Sequence, residues 1–188
     1  KIMLQAFRFL DKLKKNGYEA ISVSINVSAI QLLRNGFANS LFEMIDEMQV
    51  NPENIILEIT ESVFMDNHRA LNEKLEKLMN IGVMTMLDDF GTGYSSLARE
   101  RDIKINRLKM DKSFVDSLLQ RPEHAITRDI IAMAHRVGHT VVAEGVETPE
   151  QMRYLLDSDC DMIQGYLYSK PLDEDAAIAF LERSGQVR

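Results

Sequence analysis

The chain contains the run Val83-Met84-Thr85-Met86-Leu87-Asp88-Asp89-Phe90-Gly91-Thr92-Gly93, in which a mainly apolar segment ends in two adjacent carboxylates and a glycine-rich loop. Two neighbouring carboxylates repel each other unless a cation or a shared proton compensates their charge. The pattern therefore predicts a buried strand that delivers acids to a metal site. The alternative is a surface turn followed by a helix cap, because Asp, Gly and Ser favour both of those places.

Length and composition indicate a single globular domain. The chain has 188 residues, of which 45% are hydrophobic and 27% charged, and its net charge is −7. This charge argues against a nonspecific DNA or RNA binder, which usually carries a basic stripe. No apolar run approaches the length of a membrane span. The only cysteine, Cys160, excludes an intrachain disulfide, so we expect a reducing compartment and a cytoplasmic location.

Strand patterns alternate with helical patterns along the chain and give six βα units. The predicted strands cover residues 21–27, 55–59, 83–87, 105–110, 140–143 and 162–163. Such alternation indicates a parallel sheet, and short, almost fully apolar strands indicate burial on both faces. The sheet is either a TIM-like barrel or a doubly wound sheet. No nucleotide-binding glycine pattern follows the first strand.

A polar residue lies at or near the end of every predicted strand. In a barrel, the carboxyl ends of the parallel strands converge on one face, where active sites are built. The sequence therefore predicts a shared mouth, unless these are six unrelated strand ends. The residues concerned are Asn26, Glu58, Asp88, Asp89, Lys109, Glu144 and Gln164.

The residue types at this mouth select a chemistry. Carboxylate and amide oxygens are hard ligands that suit Mg²⁺ or Mn²⁺. The sequence has no Cys/His cluster, which argues against zinc. Several acids and a lysine at one mouth suit two-metal hydrolysis of a phosphoester. Lys109 could stabilise negative charge or orient the nucleophile, although a strand-end lysine can also simply reach water.

From Ile21 onward the chain resembles the EAL domain, the bacterial cyclic-di-GMP phosphodiesterase family. The order and spacing of six blocks carry this resemblance through almost all of the sequence. The blocks are Ser24-Ile25-Asn26-Val27-Ser28, Glu58-Ile59-Thr60-Glu61-Ser62, Asp88 to Leu97, Leu108-Lys109-Met110-Asp111, Ala143-Glu144-Gly145-Val146-Glu147-Thr148, and Gln164-Gly165-Tyr166 followed by Lys170-Pro171-Leu172.

The resemblance implies a modified TIM barrel that hydrolyses cyclic-di-GMP to 5′-pGpG with Mg²⁺ or Mn²⁺. By position, the resemblance implies that Asn26, Glu58 and Asp88 bind metal and that Asp89 serves the second metal. It implies that Lys109 and Glu144 position or activate the attacking water, and that Gln164 orders water or ligand. It also implies that Glu61 anchors the loop with the substrate-loop residues Gly91, Thr92 and Gly93, and that Glu147 supports the site from the side away from the substrate. EAL domains often act as dimers, so a homodimer is a further expectation.

One departure from the family limits these expectations. The Glu-Ala-Leu motif that names the family, and supplies a further metal ligand, is absent from this sequence. Six βα units are present where a closed barrel needs eight, so we expect an EAL-type domain fragment over residues 1–188. It should form an open barrel with unpaired edges at the Ile21 and Met162 strands. We expect a longer parent protein with regulatory domains, and weak or absent activity in this piece.

Two other functions compete with the phosphodiesterase. The absent glutamate leaves room for a noncatalytic receptor that binds cyclic-di-GMP and signals through a partner. An interaction module without any ligand is the third hypothesis. It is disfavoured because buried acids at a mouth that binds nothing would be costly.

Overall fold

The computed structural model describes residues 1–60, 68–91, 104–120 and 126–185. Within these ranges six strands alternate with helices. The strands are β1 (Val23–Asn26), β2 (Ile55–Thr60), β3 (Met84–Phe90), β4 (Arg107–Met110), β5 (Thr140–Glu144) and β6 (Met162–Gln164). The α-helices are α1 (Ile2–Lys15), α2 (Ala29–Leu33), α3 (Phe37–Met48), α4 (His68–Met79), α5 (Lys112–Gln120), α6 (Thr127–Arg136), α7 (Pro149–Leu156) and α8 (Glu174–Ser184).

All six strands are parallel and lie side by side in chain order, from β1 to β6. A doubly wound sheet would reverse its strand order at a switch point, so the sequential order identifies the barrel type. Among the described residues β1 and β6 form the two edges, as the sequence predicted. The predicted TIM-like barrel with about six βα units is confirmed.

The sheet is curled rather than flat. Helix α1 precedes one edge strand and helix α8 follows the other, yet the two helices are joined by an ion pair. Lys12 Nζ lies 2.5 Å from Asp175 Oδ1 and 3.6 Å from Glu174 Oε2. Helices that flank opposite edges can meet only if the strands between them follow an arc. The fold is therefore a half-barrel, with an inner and an outer face.

The two faces differ in chemistry because side chains alternate along each strand. The outer face contributes Leu57, Leu87, Leu108 and Val141 to the main core, which the helices cover. The inner face has a much smaller apolar cluster of Ile56, Met86 and Val142, flanked by Met84 and Met162. Charged residues are therefore placed on the inner face, above this small cluster and away from the main core.

Short helices at the carboxyl ends of the strands are fixed by side chains. Helix α2 starts with a capping box between Ser28 and Gln31. It ends where Lys74 Nζ donates to the carbonyl oxygens of Leu32 and Arg34, each at 3.0 Å. Such caps satisfy backbone groups that a helix end leaves unpaired. They hold α2 directly behind the Asn26 end of β1.

The structure corrects some predicted boundaries. Strand β3 extends to Phe90, so Asp88 and Asp89 lie within the strand rather than after its end. Helix α2 was not predicted, because five residues are too few to show a helical period. The serines Ser95 and Ser96, which favour a helix start after the glycine-rich loop, lie outside the described residues. No helix in the described ranges combines the length and apolar character needed to cross a bilayer.

His139 is a core residue rather than a ligand. Its side chain is buried directly before β5, and Nδ1 has no hydrogen-bond partner among the described residues. Burial lowers the pKa of His139 below its ordinary value of 6.5, against the opposing effect of a hydrogen bond with the Ile105 backbone. The imidazole is therefore held neutral in the folded chain.

This burial predicts a loss of stability in mild acid. As pH falls below about 6.5, the unfolded chain binds a proton at His139 that the folded chain rejects, so the free energy of unfolding should fall by at most about 1.4 kcal/mol per pH unit. A His139→Phe variant should lose that part of the slope. Urea unfolding at pH 7.5 and 5.0 measures both, and an unchanged slope in the variant would contradict the assignment.

Candidate metal and active site

Four charged side chains share the inner face of the half-barrel because of strand alternation. Glu58, Asp88, Lys109 and Glu144 each follow or precede a residue that packs in the outer core. They come from four adjacent strands, β2 to β5, near the carboxyl ends. Because the strands are parallel and in chain order, these ends meet at one mouth.

Lys109 lies at the centre of this group. Its Nζ atom lies 3.1 Å from Asp88 Oδ1, 3.4 Å from Glu144 Oε2 and 3.5 Å from Glu58 Oε2. The lysine and Glu58 side chains are each only 8% exposed, while Glu144 is 33% exposed. One ammonium group therefore contacts carboxylates from three strands in a largely buried setting.

The charge state of Lys109 follows from two opposing effects. Burial lowers its pKa, but the attraction of the Glu58 and Asp88 carboxylates, a hydrogen bond to Asp88 and the nearby Glu144 together raise the pKa above 10.5. The contacts with the acids therefore favour the charged ammonium form of Lys109. Its role in the site is to carry positive charge among the acids.

Three of the acids also form a group that could hold a cation. Asp88, Asp89 and Glu144 each offer a ligand oxygen, and these atoms lie within 4.8 Å of one another. Burial and the neighbouring Asp88 and Asp111 carboxylates raise the pKa of Asp89. All the donors are hard oxygens, which fits Mg²⁺ or Mn²⁺ rather than a soft metal. The residues present therefore fit a divalent-cation site.

The backbone at Asp89 has an unusual conformation that serves this grouping. Its φ angle is +56°, in the left-handed region, and its N–H donates to Asp88 Oδ1 at 3.0 Å. Non-glycine residues rarely adopt this conformation, which often marks functional sites. It breaks the alternation of β3, so that two consecutive acids can both contribute an oxygen to one group.

The amide residues occupy the two flanks of the mouth. Asn26 on β1 pairs in register with Glu58, and Gln164 on β6 pairs with Glu144. Both predicted polar strand ends therefore neighbour an acid of the site. Glu147, in contrast, points to Lys112, with 2.5 Å between Oε1 and Nζ.

Part of the predicted site falls outside the described residues. This applies to Glu61, Thr92 and Gly93. Gly91 is described, directly after β3, with a φ angle of +93°. A Cβ atom at Gly91 would lie 2.4 Å from the Phe114 ring. Glycine is therefore required there both by the backbone and by the close approach of α5.

Two residues near the mouth were absent from the predicted site. Asp111 follows β4 and is close enough to Asp89 to raise its pKa. Lys112, the first residue of α5, pairs with Glu147 across the neighbouring loop. The sequence places both residues just past the end of β4. Their partners, Asp89 and Glu147, are distant in sequence, so these contacts could not be predicted from the pattern.

Removing the Lys109 charge should leave three acids uncompensated. We expect Lys109→Met to lower the free energy of unfolding by about 3 kcal/mol or more in EDTA, as for other broken buried ion pairs. Divalent cations should partly replace the lost charge, so Mn²⁺ should raise the melting temperature of the variant more than that of the wild type. Thermal unfolding with EDTA and with Mn²⁺ measures both effects.

The matched control is Lys15→Met, which removes an exposed lysine paired with Asp11 at 2.6 Å. It should change stability by less than about 1 kcal/mol. Equal losses in the two variants would contradict the central role of Lys109.

Comparison with known proteins agrees with this architecture. The cyclic di-GMP phosphodiesterase NbdA of Pseudomonas aeruginosa is 38% identical over 181 residues, which cover 96% of this chain and 23% of NbdA. The EAL domain of Mycobacterium smegmatis DcpA is 36% identical with a TM-score of 0.90, over 98% of this chain and 83% of that one. The PaMucR phosphodiesterase in complex with c-di-GMP is 32% identical with a TM-score of 0.85, over 92% of this chain and 70% of that one.

The chain spans about a fifth of the length of the first curated relatives it matches. The profile of the EAL domain matches residues 1–171, which is most of the sequence. The sequence blocks, the sequential parallel half-barrel and the acidic mouth agree with that match. This chain therefore belongs to the EAL domain family.

Proposed function

We propose that the protein hydrolyses cyclic-di-GMP to the linear dinucleotide 5′-pGpG with the help of divalent cations. The observation that carries the proposal is the buried contact of Lys109 with Glu58, Asp88 and Glu144 at the barrel mouth. Relatives named as cyclic di-GMP phosphodiesterases and a relative in complex with c-di-GMP support the choice of substrate.

The residues proposed to hold the cations are Asn26, Glu58, Asp88 and Asp89, with Glu144 beside them. Their oxygen donors suit Mg²⁺ or Mn²⁺ equally, and we propose that either ion serves. When bound, such ions supply Lewis acidity, which neutralises charge on the phosphate and makes water more acidic.

Residues of the chain itself are proposed to stabilise negative charge and to position the attacking water. The Lys109 ammonium group can stabilise negative charge on the phosphodiester and orient the attacking water by donating hydrogen bonds. Glu144 is the most exposed of the three acids around it. We propose that Glu144 helps to position the water and can accept its proton. Gln164, adjacent in register, is proposed to order water or ligand.

The alternative function is a noncatalytic receptor that binds cyclic-di-GMP and signals through a partner. The acids around Lys109 favour the enzyme, since a receptor would not need three carboxylates around one buried ammonium. The two candidates differ in metal dependence. A receptor predicts binding without turnover and without added metal, whereas the enzyme predicts turnover that stops in EDTA.

Other parts of the proposal follow from the family and from the relatives' greater length. We propose a cytoplasmic protein with further regulatory domains and a homodimeric state. Gly91, Thr92 and Gly93 are proposed to belong to the substrate loop, with Glu61 as its anchor. Glu147 is proposed to support the site from behind.

The test is hydrolysis of cyclic-di-GMP by the full-length protein that contains this domain, followed by chromatography of the products with Mn²⁺, with Mg²⁺ and with EDTA. We expect 5′-pGpG to form only with a divalent cation. Asp88→Asn and Glu144→Gln should each lower kcat by at least about a hundredfold, because they remove a proposed ligand or water-positioning group.

Glu47→Gln is the matched control, since Glu47 is an exposed acid on α3. It should leave kcat unchanged. Tight, metal-independent binding of cyclic-di-GMP without any product would refute the enzyme and favour the receptor.

A further inference from the structure

We propose that Lys112 is a positioning residue for Glu144. It acts by contacting and fixing the loop between β5 and α7, which directly follows Glu144. This inference rests on the proposed function, because it concerns the geometry of the same site. Lys112 lies at the surface rather than among the acids around Lys109. Its effect would therefore reach the site through the loop that it contacts.

Two contacts join Lys112 to this loop. Its Nζ atom lies 2.5 Å from Glu147 Oε1. Its aliphatic stem lies across Gly145, where a Cβ atom would meet the lysine Cγ at 2.3 Å and Cδ at 2.6 Å. Only glycine leaves room for this crossing. Lys112 therefore covers the loop at Gly145 and is fixed beyond it at Glu147.

Gly145 adopts a left-handed backbone conformation directly after Glu144. Glu144 is the last residue of β5, so its backbone leads directly into Gly145, which has a φ angle of +76°. A glycine has many accessible conformations, and a loop that depends on one of them needs contacts to select it. The stem of Lys112 lies where it can select this one.

The other sides of the loop are fixed by different contacts. On the β6 side, the Val146 N–H donates to the Gln164 carbonyl at 3.0 Å, and the Leu167 N–H donates to the Val146 carbonyl at 3.0 Å. On the α7 side, the Glu147 N–H donates to Gln151 Oε1 at 2.8 Å. Lys112 adds a contact on the β4 side, so the loop is held from three directions.

The position of Lys112 also links two parts of the site. Lys109 and Lys112 are three residues apart at the end of β4 and the start of α5. Lys109 contacts the Glu144 carboxylate directly, at 3.4 Å, whereas Lys112 contacts the loop that follows it. A loosened loop would change the position of Glu144 relative to Lys109 and to Asp88.

A different role for Lys112 would be to attract the substrate phosphates by its charge. The two roles predict opposite effects at Glu147. If Lys112 acts by charge, Glu147→Gln should strengthen substrate binding, because it removes a nearby negative group. If Lys112 acts by positioning, Glu147→Gln should damage the site as much as Lys112→Met does.

The experiment is a double-mutant cycle with Lys112→Met, Glu147→Gln and the double variant in the full-length protein, measured as kcat and KM for cyclic-di-GMP with Mn²⁺. We expect each single variant to lower kcat about tenfold, the lower end of the range for residues that orient ligands indirectly. The double variant should be no worse than either single one, and KM should stay unchanged. Lys112→Arg should recover most of the activity, and Lys15→Met should match the wild type.

Calorimetric titration of the same variants with Mn²⁺ provides a readout that does not depend on turnover. Lys112→Met and Glu147→Gln should weaken Mn²⁺ binding equally, and the double variant should weaken it no further. If the wild type binds Mn²⁺ in this way but forms no product, the proposed function fails while the positioning role stands. Additive losses, a raised KM for Lys112→Met alone, or unchanged kcat and Mn²⁺ affinity would overturn the positioning role.

Discussion

The contact of one buried ammonium group with carboxylates from three strands is the interaction on which the rest of the site depends. Carboxylates this close repel each other, and taking them out of water adds a further cost. Lys109 offsets both effects, because it is charged and lies within 3.5 Å of Glu58, Asp88 and Glu144. Without such a cation, bringing the acids at the ends of β2, β3 and β5 to one mouth would lower the stability of the fold.

The fold makes this contact geometrically available and limits its cost. Parallel strands in chain order bring all their carboxyl ends to one side of the sheet. Strand alternation then separates the charged inner face from the large outer core, so the acids do not interrupt the packing of the helices. The small inner cluster of Ile56, Met86 and Val142 lies beneath the charged layer. Stability and chemistry are therefore carried by opposite faces of the same strands.

The fold class and the centre of the site could be predicted from the sequence because their signals are local. An apolar run ending in Asp88-Asp89 and the regular recurrence of polar strand ends depend only on neighbouring residues and on strand period. The Lys12 contact with Asp175, which shows that the sheet is curled, could not be predicted, because it joins residues 163 positions apart. The Lys112 contact with Glu147 is also long-range, and the left-handed Asp89 has no signature in a single sequence.

The position at which a divalent cation binds is the most direct test of the proposed metal site. A crystal of the protein grown with Mn²⁺ and measured at the manganese absorption edge would locate the ion by its anomalous scattering. The account predicts a peak at the barrel mouth within about 2.5 Å of oxygens from Asp88 and at least one of Asp89, Glu58 and Glu144, the distance expected for oxygen ligands of hard cations. A fully occupied Mn²⁺ elsewhere, with no peak at this mouth, would contradict it.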